Sequence, residues 1–506
     1  MMPRLPLAIA IVLALFICAP SSSRGQSPER GTPKTGLLSL LPEAQTTEHA
    51  IDLGGRTLQY QARAGTLSLL GGNAEATAEI FYVAYTLQAE QGQNETSQRP
   101  VTFVFNGGPG AAAAYLHLGA MGPRVLMTGT DGSLLPSPQK LIDNPDTWLD
   151  MTDLVFVDPV GTGYSREAPG QQTRNFWGVN QDAASMGAFV RLYLAQMGRT
   201  RSPVFLAGES YGGFRATLLS RTLQQDIGIS PSGIALVSPA LEFALLRPDE
   251  FDILHFALEL PSLAAVRLRR DGIVGQDFRD KLAEVEHFAL GDYLVALAGG
   301  LESGGRAASQ RVAEITGLPL DVVQRSFARI SSSLFTKEFA RARGNVLSPY
   351  DGLIETGDIA PQSPRDRGPD PILDRSVSAL TSAFTAYVRD ELGFRTDMSY
   401  RLLNGEVGRN WDYGTSPSRQ GYAGVMNDLQ RARSLNPAMG VLIVNGETDL
   451  VTPYMASRYL LNQISSIAGA KPVRSAVLEG GHMMYLRPDG RRALRELAAE
   501  LYQAPQ

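Results

Sequence analysis

Short apolar runs recur along the chain, and most of them end at a turn that contains glycine, proline or polar residues. They cover residues 100–105, 153–157, 203–207, 234–237 and 441–444, and three further segments, 57–64, 78–87 and 473–478, have a more mixed strand-like pattern. Strands that are covered on both faces of a parallel sheet carry continuous apolar runs, because neither face meets water. The pattern therefore predicts a mostly parallel sheet at the centre of the fold.

Helical patterns separate several of these strands, for example at 182–197 and 215–225. Strands that alternate with helices are typical of α/β folds, in which functional side chains gather at the carboxyl ends of the strands. From about residue 241 to residue 437 this alternation stops, and helical patterns follow one another at 250–270, 277–297, 322–343 and 376–392. We expect this stretch to form a helical cap inserted between two strands of the sheet.

Residues 1–25 have the layout of a secretory signal peptide. Arg4 precedes an uncharged apolar run at 5–19, and small and polar residues follow it. The alternative is a retained membrane anchor. We rank it second because the apolar run is shorter than the roughly 20 residues that a membrane span needs. We expect export to a bacterial periplasm or to the medium, without stable membrane insertion after signal removal. Residues 26–48 are rich in Ser, Pro, Thr and Gly, which predicts a flexible leader.

The composition excludes several classes of function. The chain has 506 residues, a net charge of -5 and no surplus of basic residues, so nucleic acid is not an expected partner. Cys18 is the only cysteine, and signal removal would leave none for a disulfide. The chain has no H-E-x-x-H motif and no cysteine cluster, so neither a metal nor an organic cofactor is expected.

A candidate nucleophile follows the apolar run at 203–207. Residues 208–213 read Gly-Glu-Ser-Tyr-Gly-Gly and fit the G-x-S-x-G nucleophile elbow, which places Ser210 on a tight strand-to-helix turn. The alternative is a serine that caps the following helix, a common arrangement. That alternative does not explain why glycine lies on both sides of the serine, so Ser210 is predicted to be a nucleophile.

A serine nucleophile needs a general base and a carboxylate that orients the base. The five histidines are His49, His117, His255, His287 and His482. Only His482 combines a position after a predicted strand with the Ser–acid–His chain order of α/β-hydrolases, whereas His117 precedes Ser210. The turn after 441–444 supplies two candidate acids, Glu447 and Asp449, between which the pattern alone does not decide.

A glycine-rich segment, Asn-Gly-Gly-Pro-Gly at 106–110, follows the run at 100–105. Such a loop brings backbone N–H groups close to a reacting carbonyl, and with the N–H of Tyr211 it would form an oxyanion hole. A simple tight turn is the alternative for an isolated segment of this kind. A phosphate-binding loop is excluded because no Gly-Lys-Ser/Thr follows.

Five blocks in one order make the chain similar to a known family. They are Asn-Gly-Gly-Pro-Gly at 106–110, Asp-Pro-Val-Gly-Thr-Gly-Tyr-Ser at 158–165, Gly-Glu-Ser-Tyr-Gly-Gly at 208–213, Gly-Glu-Thr-Asp at 446–449 and Gly-His at 481–482. From about residue 50 onward the chain resembles the serine carboxypeptidases of the α/β-hydrolase superfamily, and residues 260–265 and 411–412 resemble their bacterial branch. The resemblance implies a hydrolase core formed by 49–240 and 438–506, with a helical cap at 241–437.

The same resemblance implies roles for individual residues. They are Ser210 as nucleophile, His482 as base, Asp449 as orienting acid, the Gly108 and Tyr211 N–H groups as oxyanion hole, and Asn106, Gly107 and Glu209 as ligands of the substrate's terminal carboxylate. The implied reaction is hydrolysis of the last peptide bond of peptides with a free C-terminus, through an acyl-enzyme on Ser210. A buried Glu209 beside that carboxylate would need a raised pKa in order to donate a hydrogen bond.

The chain departs from the family pattern at two small residues. Ala111 stands where the family usually has cysteine, and Ala120 stands where many members have a second glutamate. Glu209 would then lack a carboxylate with which to share a proton, and a relaxed acid optimum is expected. We hypothesise that Arg124 helps to bind the substrate carboxylate, since a guanidinium matches a carboxylate bidentately. The alternative is an Arg124 in a surface or structural ion pair.

Two other functions remain open at this point. An esterase or acyltransferase could use the same triad, and a non-catalytic binding protein could use the same scaffold. The complete set of Ser210, Asp449 and His482 argues against the binding protein. Fold-level similarity alone does not separate these functions.

Overall fold

A computed structural model describes residues 34–88, 98–246, 251–414 and 423–503. The strands are β1 (Gln45–Leu53), β2 (Arg56–Leu70), β3 (Ala76–Leu87), β4 (Val101–Phe105), β5 (Arg124–Leu126), β6 (Leu141–Asp143), β7 (Asp153–Val157), β8 (Arg166–Glu167), β9 (Val204–Glu209), β10 (Gly233–Val237), β11 (Asn345–Leu347), β12 (Glu355–Gly357), β13 (Gly440–Gly446) and β14 (Val473–Leu478). The helices are α1 (Ala114–Leu116), α2 (Val179–Gln196), α3 (Tyr211–Thr222), α4 (Leu254–Arg270), α5 (Gly275–Phe288), α6 (Leu294–Ala298), α7 (Arg306–Thr316), α8 (Leu320–Arg325), α9 (Ser332–Glu338), α10 (Leu373–Asp390), α11 (Gly405–Arg409), α12 (Met426–Leu435), α13 (Tyr454–Gln463) and α14 (Pro488–Ala499). In these ranges, no helix combines the length and the apolarity that crossing a membrane requires.

One large sheet organises the fold. Among the described residues it has ten strands in the order β1-β2-β3-β7-β4-β9-β10-β13-β14, with β8 beside β3. The strands β7, β4, β9, β10, β13 and β14 run parallel to one another, whereas all pairings of β1, β2, β3 and β8, including that of β3 with β7, are antiparallel. The prediction of a mostly parallel α/β sheet is therefore confirmed.

Both faces of the parallel strands are buried, which explains their continuous apolar runs. Along β13, Leu442 and Val444 pack into one apolar cluster, whereas Val441 and Ile443 pack into the cluster on the opposite face. Helices α2 and α3 cover one face of the sheet, and α10 and α14 cover the other. The carboxyl ends of β4, β9, β13 and β14 then lie side by side at one edge of the sheet.

The helical insertion lies between β10 and β13, which are neighbours in the sheet. Helices α4 to α9 form an apolar cluster of their own, to which α13 contributes Tyr454 and Met455. The predicted helices at 250–270 and 376–392 correspond to α4 and α10, while 322–343 is broken into α8, α9 and a 3-10 turn. Helices α10 and α12 pack on the sheet clusters and not on the cap cluster, so the cap is smaller than the predicted 241–437.

The boundary predicted at residue 48 needs a correction. Residues Gly36–Leu40 form a 3-10 helix, and β1 pairs with β2 from Gln45 onward, so these residues are not a flexible leader. The prediction was wrong because β1 is an edge strand with one buried residue, Ile51. Its pairing depends on backbone hydrogen bonds, which do not show in the pattern of apolar residues. The predicted signal peptide at 1–25 lies outside the described residues.

Candidate active site

Ser210 lies on the turn between β9 and α3, where its backbone has φ 58° and ψ -123°. A positive φ is strained for a residue with a side chain and is concentrated at functional sites. A Cβ on Gly208 would lie 2.0 Å from the carbonyl oxygen of Gly212, so this turn requires glycine there. The side chain of Ser210 makes no capping hydrogen bond to α3, which argues against the helix-cap alternative.

His482 follows β14, and its imidazole contacts Asp449, which follows β13. The Nδ1 atom of His482 lies 2.8 Å from Oδ2 of Asp449, and both side chains are buried. Oδ1 of Asp449 accepts the N–H groups of Val451 and Thr452 at 2.8 and 2.9 Å, and Oδ2 also accepts the Thr452 hydroxyl at 2.6 Å. Asp449 therefore has a fixed orientation toward the imidazole.

The pKa values of this pair indicate an ionised carboxylate beside a basic imidazole. Burial alone would raise the pKa of Asp449, but the charge of His482 and the hydrogen bonds outweigh it and hold that pKa below its usual value. Burial alone would lower the pKa of His482, but the Asp449 carboxylate outweighs it and raises that pKa. Such a pair is suited to hold an imidazole that accepts a proton from serine.

The choice between the two candidate acids is decided by contact. In the part of the chain that the structure describes, Asp449 is the one of the two that touches His482. Oε1 of Glu447 instead lies 2.5 Å from Nε of Arg269, which belongs to the cap helix α4. Glu447 therefore joins the core to the cap.

The glycine-rich segment approaches the nucleophile turn directly. A Cβ on Gly107 would lie 2.6 Å from the backbone nitrogen of Tyr211 and 2.8 Å from Cβ of Ser210, so only glycine fits. Gly108 has φ 100°, a conformation that side chains disfavour. The backbone at 107–108 and the N-terminus of α3 thus face the same space beside Ser210.

That space is a cavity of about 200 Å³ that contains the predicted site. Its polar lining consists of Asn106, Gly107, Gly108, Glu209, Ser210 and His482. Its remaining lining is mainly apolar and aromatic and consists of Ala111, Tyr115, Tyr350, Leu373, Leu403, Val451 and Met483. The cavity brings together residues that lie far apart in the sequence.

Glu209 is held at the base of this cavity by two neutral donors. The Asn106 amide donates to Oε2, and the Tyr485 hydroxyl donates to Oε1 at 2.8 Å. Oδ1 of Asn106 accepts the N–H of Leu116 at 3.0 Å, which fixes the direction in which its amide points. Burial raises the pKa of Glu209 to about 7, although the charge of His482 and the two donors act against this rise.

Sequence reasoning missed Tyr485. It lies three residues after His482, in the turn Met484–Leu486, and its ring is fully buried. A weak signal was present in Gly119, because a Cβ there would lie 2.7 Å from Cε2 of Tyr485. A single glycine does not reveal which ring fills the space beside it.

Arg124 lies in a different environment from the one hypothesised. Its Nη1 is 2.6 Å from Oδ1 of Asp143, and its Nε is 3.3 Å from Oε2 of Glu391. It does not belong to the lining of the cavity that holds Ser210 and Glu209. These contacts favour the alternative interpretation, an ion-pair residue at the surface.

His117, the other histidine near a glycine-rich turn, belongs to the core. Its ring stacks on Phe156 with centroids 4.0 Å apart, and its Nε2 is 2.6 Å from the hydroxyl of Tyr85. Burial lowers the pKa of His117 to about 3. His117 therefore does not compete with His482 as a base.

Comparison with known proteins agrees with this geometry. The family model described as serine carboxypeptidase matches residues 58–236, the segment that contains Asn106, Glu209 and Ser210. Over this segment, which is about a third of its length, the chain is similar to the serine carboxypeptidase family. Asp449 and His482 lie beyond the matched segment, and strands β13 and β14 place them beside it in the structure.

Relatives of this family are similar over part of their length. A pheromone-processing carboxypeptidase, KEX1, of Yarrowia lipolytica is 30% identical over 169 residues, which are 32% of this chain and 26% of that protein. The serine carboxypeptidase ctsa-3.1 of Caenorhabditis elegans is 26% identical over 160 residues, which are 31% of this chain and 25% of that protein. The match thus spans about a quarter of each of these two curated relatives.

A solved structure extends the similarity to most of the fold. The crystal structure of the Kex1 prohormone-processing carboxypeptidase of Saccharomyces cerevisiae superposes with a TM-score of 0.53 at 16% identity. The superposition covers 87% of this chain and 91% of that chain. The predicted α/β-hydrolase fold is thereby confirmed.

Proposed function

We propose that the protein is a serine-type carboxypeptidase that removes the last residue of peptides with a free C-terminus. The observation that carries this proposal is the position of Glu209 and Asn106 in the same cavity as Ser210 and His482. A triad alone supports acyl transfer in general. A buried carboxyl group and an amide beside the triad can in addition bind the terminal carboxylate of a peptide.

Peptide bond cleavage would follow the two steps of acyl transfer. His482 takes the proton of the Ser210 hydroxyl as its oxygen attacks the last peptide carbonyl, while Asp449 stabilises the imidazolium. The N–H groups of Gly108 and Tyr211 stabilise the oxyanion, and each such donor typically contributes about 3 kcal/mol. His482 gives the proton to the departing amino group, and water then hydrolyses the acyl-enzyme.

Selection of the chain end depends on Glu209. The substrate carboxylate would accept hydrogen bonds from Asn106 and from the Gly107 N–H, and a third from Glu209 in its protonated form. Two carboxyl groups in contact cannot both be ionised without repulsion. The raised pKa of Glu209, about 7, supports a protonated side chain at acid and near-neutral pH.

The proposal extends to the location and the partners of the protein. We propose that residues 1–25 direct export to a bacterial periplasm or medium, and that peptides are the partners. Determining the N-terminal residue of the protein recovered from its native host tests removal of this segment. An intact Met1 on the recovered protein would favour the retained anchor.

The decisive test compares wild type with Ser210→Ala on a mixed peptide pool. Mass spectrometry should find C-terminal ladders with wild type and none with the variant. The same peptides with amidated C-termini are the matched control and should be cleaved far more slowly. Cleavage of esters without any ladder would favour the esterase or acyltransferase, and absence of labelling by a fluorophosphonate would favour the non-catalytic binding protein.

A further inference from the structure

The two carboxyl oxygens of Glu209 are each held by one donor from a different element. Asn106, at the end of β4, donates to one oxygen, and Tyr485, in the turn after His482, donates to the other at 2.8 Å. Neither donor carries a charge. Among the described residues, Glu209 therefore has no ion-pair partner at hydrogen-bond distance. The orientation of this carboxyl group therefore depends on two neutral hydrogen bonds.

Tyr485 reaches Glu209 because Gly119 leaves room for its ring. The ring packs against Gly119, where a Cβ would lie 2.7 Å from Cε2, and the neighbouring Ala120 is buried with a single methyl group. The resemblance to the serine carboxypeptidases implies a second glutamate at position 120, which is alanine in this chain. A tyrosine hydroxyl from the opposite end of the chain thus contacts the carboxyl group that has no carboxylate partner here.

We infer that Tyr485 is a positioning residue that holds Glu209 in the orientation required to bind the substrate carboxylate, in place of a second carboxyl group. The inference rests on the proposed function, because it assigns a residue to the same site. Tyr485 itself does not belong to the lining of the cavity, so it acts through Glu209.

A tyrosine differs from a carboxyl partner because it does not titrate in the working range. Burial raises the pKa of Tyr485 well above its usual value, so its hydroxyl remains a donor. Donation to Glu209 favours the ionised carboxylate and limits the rise that burial causes in the Glu209 pKa. The other titratable groups that influence or are influenced by Glu209 are His482, Asp449, Tyr115 and Tyr350.

The pH dependence follows from these groups. A free-acid peptide needs neutral His482 and protonated Glu209, so its kcat/KM should rise and then fall as pH increases. The fall should lie near the Glu209 pKa of about 7. The amide of the same peptide lacks the carboxylate, so its slow hydrolysis should show only the rise due to His482.

The test is Tyr485→Phe, measured on a blocked dipeptide free acid and on its amide. We expect KM for the free acid to rise about tenfold, the factor expected from one hydrogen bond to an ionisable group, with little change in kcat. The falling limb of kcat/KM should move to higher pH, because the donor that favours the ionised Glu209 is gone. The amide should be unaffected. Tyr502→Phe, which removes the hydroxyl of a partly buried tyrosine 2.9 Å from Thr102, is the matched control.

A second comparison tests whether Tyr485 acts through Glu209. In a Glu209→Gln background the carboxyl group at position 209 is absent. Adding Tyr485→Phe should therefore leave the pH dependence of kcat/KM unchanged. A shift of the falling limb of kcat/KM that persists in this background would overturn the inference, and so would equal KM changes for the free acid and the amide. The rate of fluorophosphonate labelling at Ser210 should stay at the wild-type value, which verifies an intact fold and triad. A wild type that cleaves the amide as well as the free acid contradicts the proposed function itself, whatever Tyr485→Phe does.

Discussion

Nδ1 of His482 lies 2.8 Å from Oδ2 of Asp449, so the proton on this nitrogen points at a carboxylate. Asn at 449 would direct its amide N–H toward Nδ1 and favour the tautomer with the proton on Nε2. That tautomer cannot accept the proton of Ser210. We expect Asp449→Asn to lower kcat about 10⁴-fold with a small change in KM. Steady-state kinetics on one peptide measures both constants.

The matched control for this variant is Glu447→Gln, which changes the other acidic residue of the same turn. Glu447 pairs with Arg269 and not with His482, so kcat should stay near wild type. Equal losses in the two variants would mean that the turn as a whole matters and that Asp449 has no special role.

The lining of the active-site cavity predicts a preference for apolar side chains next to the scissile bond. Apart from Glu209 and His482, its side chains are uncharged, and they include Leu373, Leu403 and Met483. Burying a charged side chain without a partner is unfavourable, whereas an apolar one gains roughly 1.5–3 kcal/mol. Blocked dipeptides that end in Leu should therefore show kcat/KM at least about tenfold above those ending in Lys or Asp. Faster cleavage of the Lys peptide would reject this prediction.

The contacts of Arg124 predict a structural effect and no substrate selectivity. Arg124→Ala removes two partly exposed ion pairs, to Asp143 and Glu391, which should lower the free energy of unfolding by less than about 1 kcal/mol. KM for a free-acid peptide and for its amide should change by the same small factor. A KM increase confined to the free acid would restore Arg124 as a carboxylate ligand.

Asp158 predicts a stability that depends on pH. Its carboxyl is buried beside the N–H of Ala113 at 2.8 Å, and burial raises its pKa to about 7. Between roughly pH 4 and pH 7 the unfolded chain has lost this proton and the folded chain has kept it, so stability falls as pH rises. Asp158→Asn removes the effect.

The difference in free energy of unfolding between Asp158→Asn and wild type should therefore grow by up to about 1.4 kcal/mol for each pH unit in this window. Urea unfolding of both proteins at the two ends of the window measures it. A difference that is constant with pH would show that the buried carboxyl ionises normally.

Much of the site could be predicted because its residues lie directly after the carboxyl ends of strands. Asn106, Ser210 and His482 each follow a segment with strand character, and parallel strands bring their carboxyl ends to one edge. The pattern could not choose between Glu447 and Asp449, since both lie on the turn after β13. That choice depends on a contact with an imidazole 33 residues away.

The rest depends on contacts that leave little periodic signal. β1 has one fully buried residue, Ile51, so composition suggested a loose segment where backbone pairing forms an edge strand. The role of Tyr485 was not predicted, because it arises from space left at Gly119 and from the hydroxyl's distance to Glu209. The pattern could not choose between the two interpretations of Arg124, because its partners, Asp143 and Glu391, are distant in sequence.

The order of the site residues along the chain has a consequence for synthesis. Asn106 follows β4, and Glu209 and Ser210 lie at the end of β9. Strands β13 and β14, which place Asp449 and His482, come after the whole helical insertion. A ribosome that has reached residue 440 has thus made a nucleophile without its base, its orienting acid or Tyr485. If the protein is the proposed peptidase, the nascent chain therefore stays inactive in the cell that makes it until β13 and β14 have joined the sheet.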